Sequence, residues 1–193
     1  TVGATWGENV NGIPYETIHS NDDSVALGFN PTFSAWTGTF PDGWSAYGTV
    51  NPTKETLIKR IGDFAARFNV PATTNAGMSR VSAFYNAGGS AQLPAGTWVA
   101  GTVDLYIESR VGAGVPGILV DLLYNSNGDY RRTTVGAPSS AIGLWQRIPF
   151  SARVNAGESV YGIRIFLMAS YTEIPGGQFE GNVIFDNLRF AFF

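Results

Sequence analysis

Between Val99 and Glu108 the side chains alternate in a way that leaves few folds open. Val99, Gly101, Val103, Leu105 and Ile107 make one small or apolar series, and Ala100, Thr102, Asp104, Tyr106 and Glu108 make the other. Successive side chains of a strand point to opposite sides of its sheet. The pattern therefore predicts a half-buried antiparallel strand, one face in a core and one toward water. Pro94 and Gly96 set the turn before it. The outward series carries carboxylates and a tyrosine, which makes it a candidate for ligand contact.

The rest of the chain repeats this texture. Apolar residues alternate at Phe64, Ala66, Phe68 and Val70; at Val81, Ala83 and Tyr85; and at Ile118, Val120, Leu122 and Tyr124. Further series run through Ile148, Phe150, Ala152 and Val154, through Ile163, Ile165 and Leu167, and through Ile184, Leu188, Phe190 and Phe192. Turn residues separate them at Pro71, Gly88-Gly89, Gly112 to Gly117, Asn125 to Gly128, Gly136 to Pro138, Ala156-Gly157 and Pro175 to Gly177. Short strands at such spacing, with no helical crossovers, predict an all-β sandwich of two antiparallel sheets. The helix-start signal of Asn51-Pro52 with Glu55 predicts a single helical turn within Thr49 to Lys59. Residues 1–28 show no sustained periodicity and read as an irregular N-terminal arm, leaving 29–193 as the sandwich domain. His19, the one histidine, lies in that arm among Asn21, Asp22 and Asp23 and reads as a turn residue.

A chain of 193 residues can build one core and bury about 70% of its unfolded surface. No apolar run approaches the ~20 residues of a spanning helix. Net charge is −3, and two lysines and ten arginines are scattered without a cluster beyond Arg131-Arg132, which excludes the basic patch that nucleic-acid binding requires. The absence of cysteine removes disulfides, thiolate metal sites and cysteine nucleophiles together. Opening on Thr1 rather than Met, the chain is expected to be a processed product or a fragment of a larger protein.

Five segments, in order, carry a resemblance: NPTFSAWTGTFPDGWSAYG (Asn30 to Gly48), GDFAARFNV (Gly62 to Val70), LPAGTWVAG (Leu93 to Gly101), LWQRIPFSARV (Leu144 to Val154) and NVIFDNLRF (Asn182 to Phe190). The chain resembles the jelly-roll carbohydrate-binding modules typified by families four, nine and twenty-two, from about Asn30 to Phe190. The resemblance implies a jelly-roll β-sandwich, often with a concave face that accepts a glycan chain. It implies structural roles for Trp36 and Trp44 at the sandwich edge and a buried aromatic at Trp98. It also implies a structural calcium ion near the meeting of first and last strands, with Asp186 as its acidic ligand. Ser34 follows Phe33 where the motif often has an acid, which removes one carboxylate from the oxygen shell that calcium prefers.

Sugar rings need flat aromatics to stack on and fixed polar groups around them. Strand parity turns Asp104, Tyr106, Glu108, Asp121, Leu123, Trp145, Arg147, Arg164 and Phe166 away from the core. Of these, Asp104, Tyr106, Asp121, Trp145, Arg147, Arg164 and Phe166 form the expected glycan site, with Tyr130, Tyr171 and Trp44 as fallback aromatics in loops. A catalytic reading finds less support. No GxSxG elbow is present, a metal hydrolase lacks its histidines, and Asp104, Glu108 and Asp121 could supply a glycosidase pair only without the ExDxE strand signature of jelly-roll glucanases. The expected function is a non-catalytic module binding a polysaccharide or cell-surface glycan. Its expected setting is extracellular or on the virion, either in a phage tail fibre or tailspike, as a trimer packed through the arm, or as an accessory domain of a polysaccharide-degrading enzyme. A structural or assembly domain without ligand is the alternative.

Overall fold

The computed structural model describes residues 30, 32–83, 85–86, 89–90, 93–124 and 129–192. The expected arm at 1–28, with His19, lies outside the described residues. In chain order the strands are β1 (Trp36–Thr37), β2 (Phe40–Pro41), β3 (Ser45–Gly48), β4 (Thr53–Glu55), β5 (Ala65–Val70), β6 (Ala76–Ala83), β7 (Tyr85–Asn86), β8 (Gly89–Ser90), β9 (Trp98–Val111), β10 (Gly117–Tyr124), β11 (Asp129–Gly136), β12 (Trp145–Arg153), β13 (Val160–Ser170) and β14 (Glu180–Phe192). Two five-stranded sheets build the sandwich: a front sheet in the order β11-β10-β13-β6-β3 and a back sheet in the order β12-β9-β14-β5-β4. Every pairing within them is antiparallel.

One core lies between the sheets. Met78, Ile118, Val120, Leu122, Ile163, Ile165 and Leu167 enter it from the front. Phe68, Val103, Leu105, Ile107, Ile148, Phe150, Val183 and Phe185 enter from the back. Each fully buried side chain of this size contributes about 1.5–3 kcal/mol relative to exposure. Phe68 and Phe185 meet edge to face at 6.2 Å. Gly101 leaves the space its neighbours need, since a Cβ there would stand 2.7 Å from the Phe150 ring and 2.0 Å from the Arg189 carbonyl. Trp44 is buried against Phe33, rings 5.5 Å apart, and Trp36 packs on the core's edge and donates to the Phe33 carbonyl.

The alternation in β9, β10, β12 and β13 matches its sequence reading, and four local expectations do not. Thr53–Glu55 pairs with β5 as an edge strand instead of starting a helical turn. Glu55 still accepts the amides of Leu57 and Ile58 at 2.7 and 3.1 Å, so the cap-like signal closes a bend. Val81 pairs with Arg164 and faces outward, 53% exposed, while Met78 takes the core position of β6. In β14 the pairing register with β9 shifts between Asp186 and Arg189, where Asn187 takes a φ of 54°. A bulge of this kind changes which parity faces inward: Val183 and Phe185 are core residues before it, Leu188, Phe190 and Phe192 after it. Ile184, read as a core residue, is buried on the outer side beside Tyr106. Trp98, expected inside, is 41% exposed at the start of β9, with the Arg153 guanidinium 5.8 Å from its ring.

Candidate functional site

The residues expected to form one site sit on opposite outer faces of the sandwich. Asp121, Arg164 and Phe166 belong to the front sheet, and Asp104, Tyr106, Trp145, Arg147 and Asp186 to the back sheet. Asp186 was expected only as a calcium ligand; parity assigned the other seven outward correctly, but parity carries no information on which strands share a sheet. The single site predicted from them is therefore corrected to two unconnected clusters.

On the back face the carboxylates of Asp104, Asp186, Glu55 and Glu108 are all engaged within the protein. Asp104 receives Nε and Nη2 of Arg147 at 2.8 and 3.3 Å, the Asn187 amide at 2.6 Å, and Arg60 Nε at 3.6 Å. Asp186 stands opposite it across β9 and β14 and is fully buried. Its Oδ2 accepts the backbone amides of Arg60 and Ile61 at 2.5 and 3.0 Å, and its Oδ1 accepts that of Asn187 at 2.7 Å. Burial pushes this carboxyl up to about 6 against the pull of those amides, with the Asp104 charge adding to the rise. Arg67 joins Glu55 at 2.6 Å and also bonds Glu108. Trp145 tilts against Tyr106 at 5.5 Å and lies under Arg60 at 6.0 Å. The segment 56–63 is thus tied down across this face, which is closed by its own ion pairs.

This geometry does not fit a calcium ion at Asp186. Both oxygens already accept amide protons, and the neighbouring Asp104 is held by two guanidinium groups, whose charge opposes a cation. Among the described residues no group of three or more His, Cys, Asp or Glu side chains comes together.

The front face is arranged differently. Asp121, fully buried on β10, pairs laterally with Arg132 of β11 and Arg164 of β13. Arg132 donates Nε and Nη2 to Oδ1 and Oδ2 at 2.7 and 3.0 Å; Arg164 donates Nε and Nη2 to Oδ2 at 3.1 and 2.8 Å. The hydrogen bond to Asp121 raises the Arg132 pKa further above its ordinary value. Both guanidiniums also lie near two rings, Tyr130 at 5.1 and 5.4 Å and Phe166 at 5.1 and 5.0 Å. Phe166 is buried, whereas Tyr130 is 47% exposed. Tyr47 meets Phe166 and Tyr171 edge on at 5.3 and 5.6 Å. Leu119, Phe166, Met168, Tyr171 and Ile174 make a second apolar cluster under the connection after β13. The Tyr171 hydroxyl donates to Glu173 at 3.2 Å, and its pKa is pushed up to about 12, first by its hydrogen bond with Tyr47 and then by burial.

Chemically, this face offers a partly exposed aromatic beside two fixed guanidiniums, held in one geometry by a carboxylate that no ligand can reach. Asp121 and Phe166 therefore support the surface instead of touching a ligand, a correction to both. Tyr130 and Arg132 were missed as strand residues. Their signal was present: Tyr130 and Arg132 alternate with Arg131 and Thr133 across a hairpin from Leu123 and Asp121, which places them on the outward parity. Among the carboxylates of this face, Asp121 is buried and Glu173 stands apart on the connection after β13.

No family model matches the sequence, and no curated protein matches it. Solved structures do share its fold. The enzymatically active domain of tailspike protein 4 of bacteriophage CBA120 is 10% identical, with a TM-score of 0.57 over 85% of this chain and 22% of that one. The CBM22-1–GH10 modules of a Clostridium thermocellum endo-1,4-beta-D-xylanase, complexed with xylohexaose, are 17% identical, with a TM-score of 0.55 over 83% and 27%. The CBM22-2 xylan-binding domain of a Paenibacillus barcinonensis protein is 14% identical, with a TM-score of 0.51 over 83% and 96%. The chain thus spans about a quarter of each of the first two chains and nearly all of the third. Its fold is the β-sandwich of carbohydrate-binding modules.

Proposed function

We propose that this chain is a non-catalytic glycan-binding module whose site is the outer face of the front sheet, at Tyr130, Arg132 and Arg164. The carrying observation is the exposed Tyr130 ring flanked by two guanidiniums that Asp121 holds in place. The C–H face of a pyranose stacks on such a ring while its hydroxyls accept from fixed N–H donors. The shared fold supports this reading, since the family-22 domain that it matches over nearly its whole length is a xylan-binding domain. We place the module outside the cell or on the virion, as the host-glycan adhesion domain of a phage tail protein. The alternative setting is that of an accessory domain in a polysaccharide-degrading enzyme; each has a fold neighbour.

The test is a glycan microarray followed by calorimetry on the best binder. Tyr130→Ala is expected to weaken binding at least tenfold with little change in unfolding midpoint, because the ring is half in water. Undiminished affinity in Tyr130→Ala refutes the assignment, and release of reducing sugars from any bound glycan refutes the non-catalytic reading. A second reading, an assembly domain without ligand, draws on Leu57, Ile142 and Leu144, which are 88%, 54% and 62% exposed. It requires a stable oligomer of this chain and no array signal.

A further inference from the structure

We infer that the glycan taken by the front face is acidic, its carboxylate pairing with the guanidinium edge that Asp121 leaves unsatisfied. The inference rests on the glycan-binding reading above and adds the class of sugar.

Two arginines share one buried carboxylate. Oδ2 of Asp121 alone receives three of the four guanidinium contacts, at 3.0, 3.1 and 2.8 Å. The trio carries one excess positive charge. Arg164 spends Nε and Nη2 on Asp121, and its Nη1 has no protein partner among the described residues. Its side chain is 31% exposed beside the Tyr130 ring. A planar guanidinium with a free edge next to a stacking platform suits a carboxylate better than a hydroxyl. A neutral sugar seated there would strip water from the excess cation without replacing it by a charge, which opposes binding.

The chain itself places a carboxylate near the other guanidinium of the trio. Glu173 Oε2 stands 3.8 Å from Arg132 Nη1, outside hydrogen-bond reach, on a side chain that is 57% exposed. An exposed pair of that kind contributes little, and the other oxygen of Glu173 accepts the Tyr171 hydroxyl at 3.2 Å, so it balances the excess charge only weakly and leaves the Arg164 edge open. The net charge of the whole chain is −3, so long-range attraction cannot bring in a polyanion. Binding of one has to come from the local arrangement.

The experiment compares, on the full chain, polygalacturonate, alginate and hyaluronan with their methyl-esterified counterparts, and neutral xylan, by titration calorimetry. At least one acidic polymer is expected to bind roughly tenfold or more tighter than its ester, the scale of one charge-assisted contact, with the difference shrinking as salt is raised. Arg164→Gln should erase that difference while Asp121 stays paired with Arg132, and Glu173→Gln should enlarge it. Circular dichroism and unfolding midpoints of both variants confirm that they are folded. Esters or xylan binding as tightly as the acids, in a Tyr130-dependent way, overturns the inference and leaves the glycan reading standing. Binding of none of the polymers overturns both.

Discussion

Asp121→Asn isolates the electrostatic brace of the front sheet. The carboxylate is fully buried, between Arg132 and Arg164, which are 18% and 31% exposed. An asparagine would aim its remaining oxygen at the δ2 position, where three contacts converge, and its amide at Arg132 Nε, now 2.7 Å from Oδ1. One strong contact becomes a donor facing a donor, and two cations lose the buried counter-charge they share. Breaking one partner out of a buried ion pair costs about 3–5 kcal/mol. The partial exposure of both arginines lets water recover some of this, so about 2–4 kcal/mol is expected. For 193 residues the unfolding entropy is about 0.4 kcal/mol/K, which converts the loss into a fall of roughly 5–10 °C in Tm. Calorimetry on Asp121→Asn, Arg164→Gln and the double variant measures it, and the cycle should return a coupling of about 1 kcal/mol or more. A Tm shift under about 1 °C for Asp121→Asn would falsify the view that the face is preorganised by this carboxylate. Glycan affinity should fall with stability, because the guanidiniums would no longer share one geometry.

Trp145→Ala should leave glycan affinity unchanged and cost about 1–2 kcal/mol, below the 3–5 of a fully buried aromatic, since the ring is half-buried against Tyr106 and Arg60; loss of binding would move the site to the back face. Asp186, with a folded pKa of about 6 above the ordinary 3.8, binds its proton more tightly when folded. Its contribution to stability is therefore full below about pH 4 and lost as pH rises through 6, on the order of 3 kcal/mol at most, and a urea midpoint that rises over this window instead would contradict the burial argument once compared with Asp186→Asn. Glu158, held down to about 2 chiefly by its bond to Arg131, works in the opposite sense: its contribution is present above pH 4.5 and lost as pH falls toward 2, which Glu158→Gln should flatten. Chelation and added calcium should both leave the melting curve in place, because both Asp186 oxygens already accept amides and the guanidiniums on Asp104 oppose a cation; a Tm that falls on chelation would restore the expected calcium site.

Much of the fold follows from local order along the sequence. Alternation at Val99 to Ile107, Ile118 to Leu122, Ile148 to Ala152 and Ile163 to Leu167 names both strand and buried face, because a period of two admits one reading wherever one side is apolar. Turn residues mark the ends, and parity alone sends Asp104, Tyr106, Asp121, Trp145, Arg147, Arg164 and Phe166 outward. Tertiary structure decided everything that depends on which strands are neighbours. Sheet order separates Asp121 from Asp104 by the thickness of the sandwich and brings Arg132 and Arg164, 32 positions apart in the sequence, onto one carboxylate. Outward is also not the same as exposed. The connection after β13 buries Phe166, and the segment 56–63 ties down the face around Asp186. The bulge at Asp186 to Arg189 shifts parity within a single strand. A strand's own residues specify its two sides, but what lies against each side is set by contacts between segments far apart in sequence, and those contacts decide whether an outward residue meets a ligand, a loop or another charge.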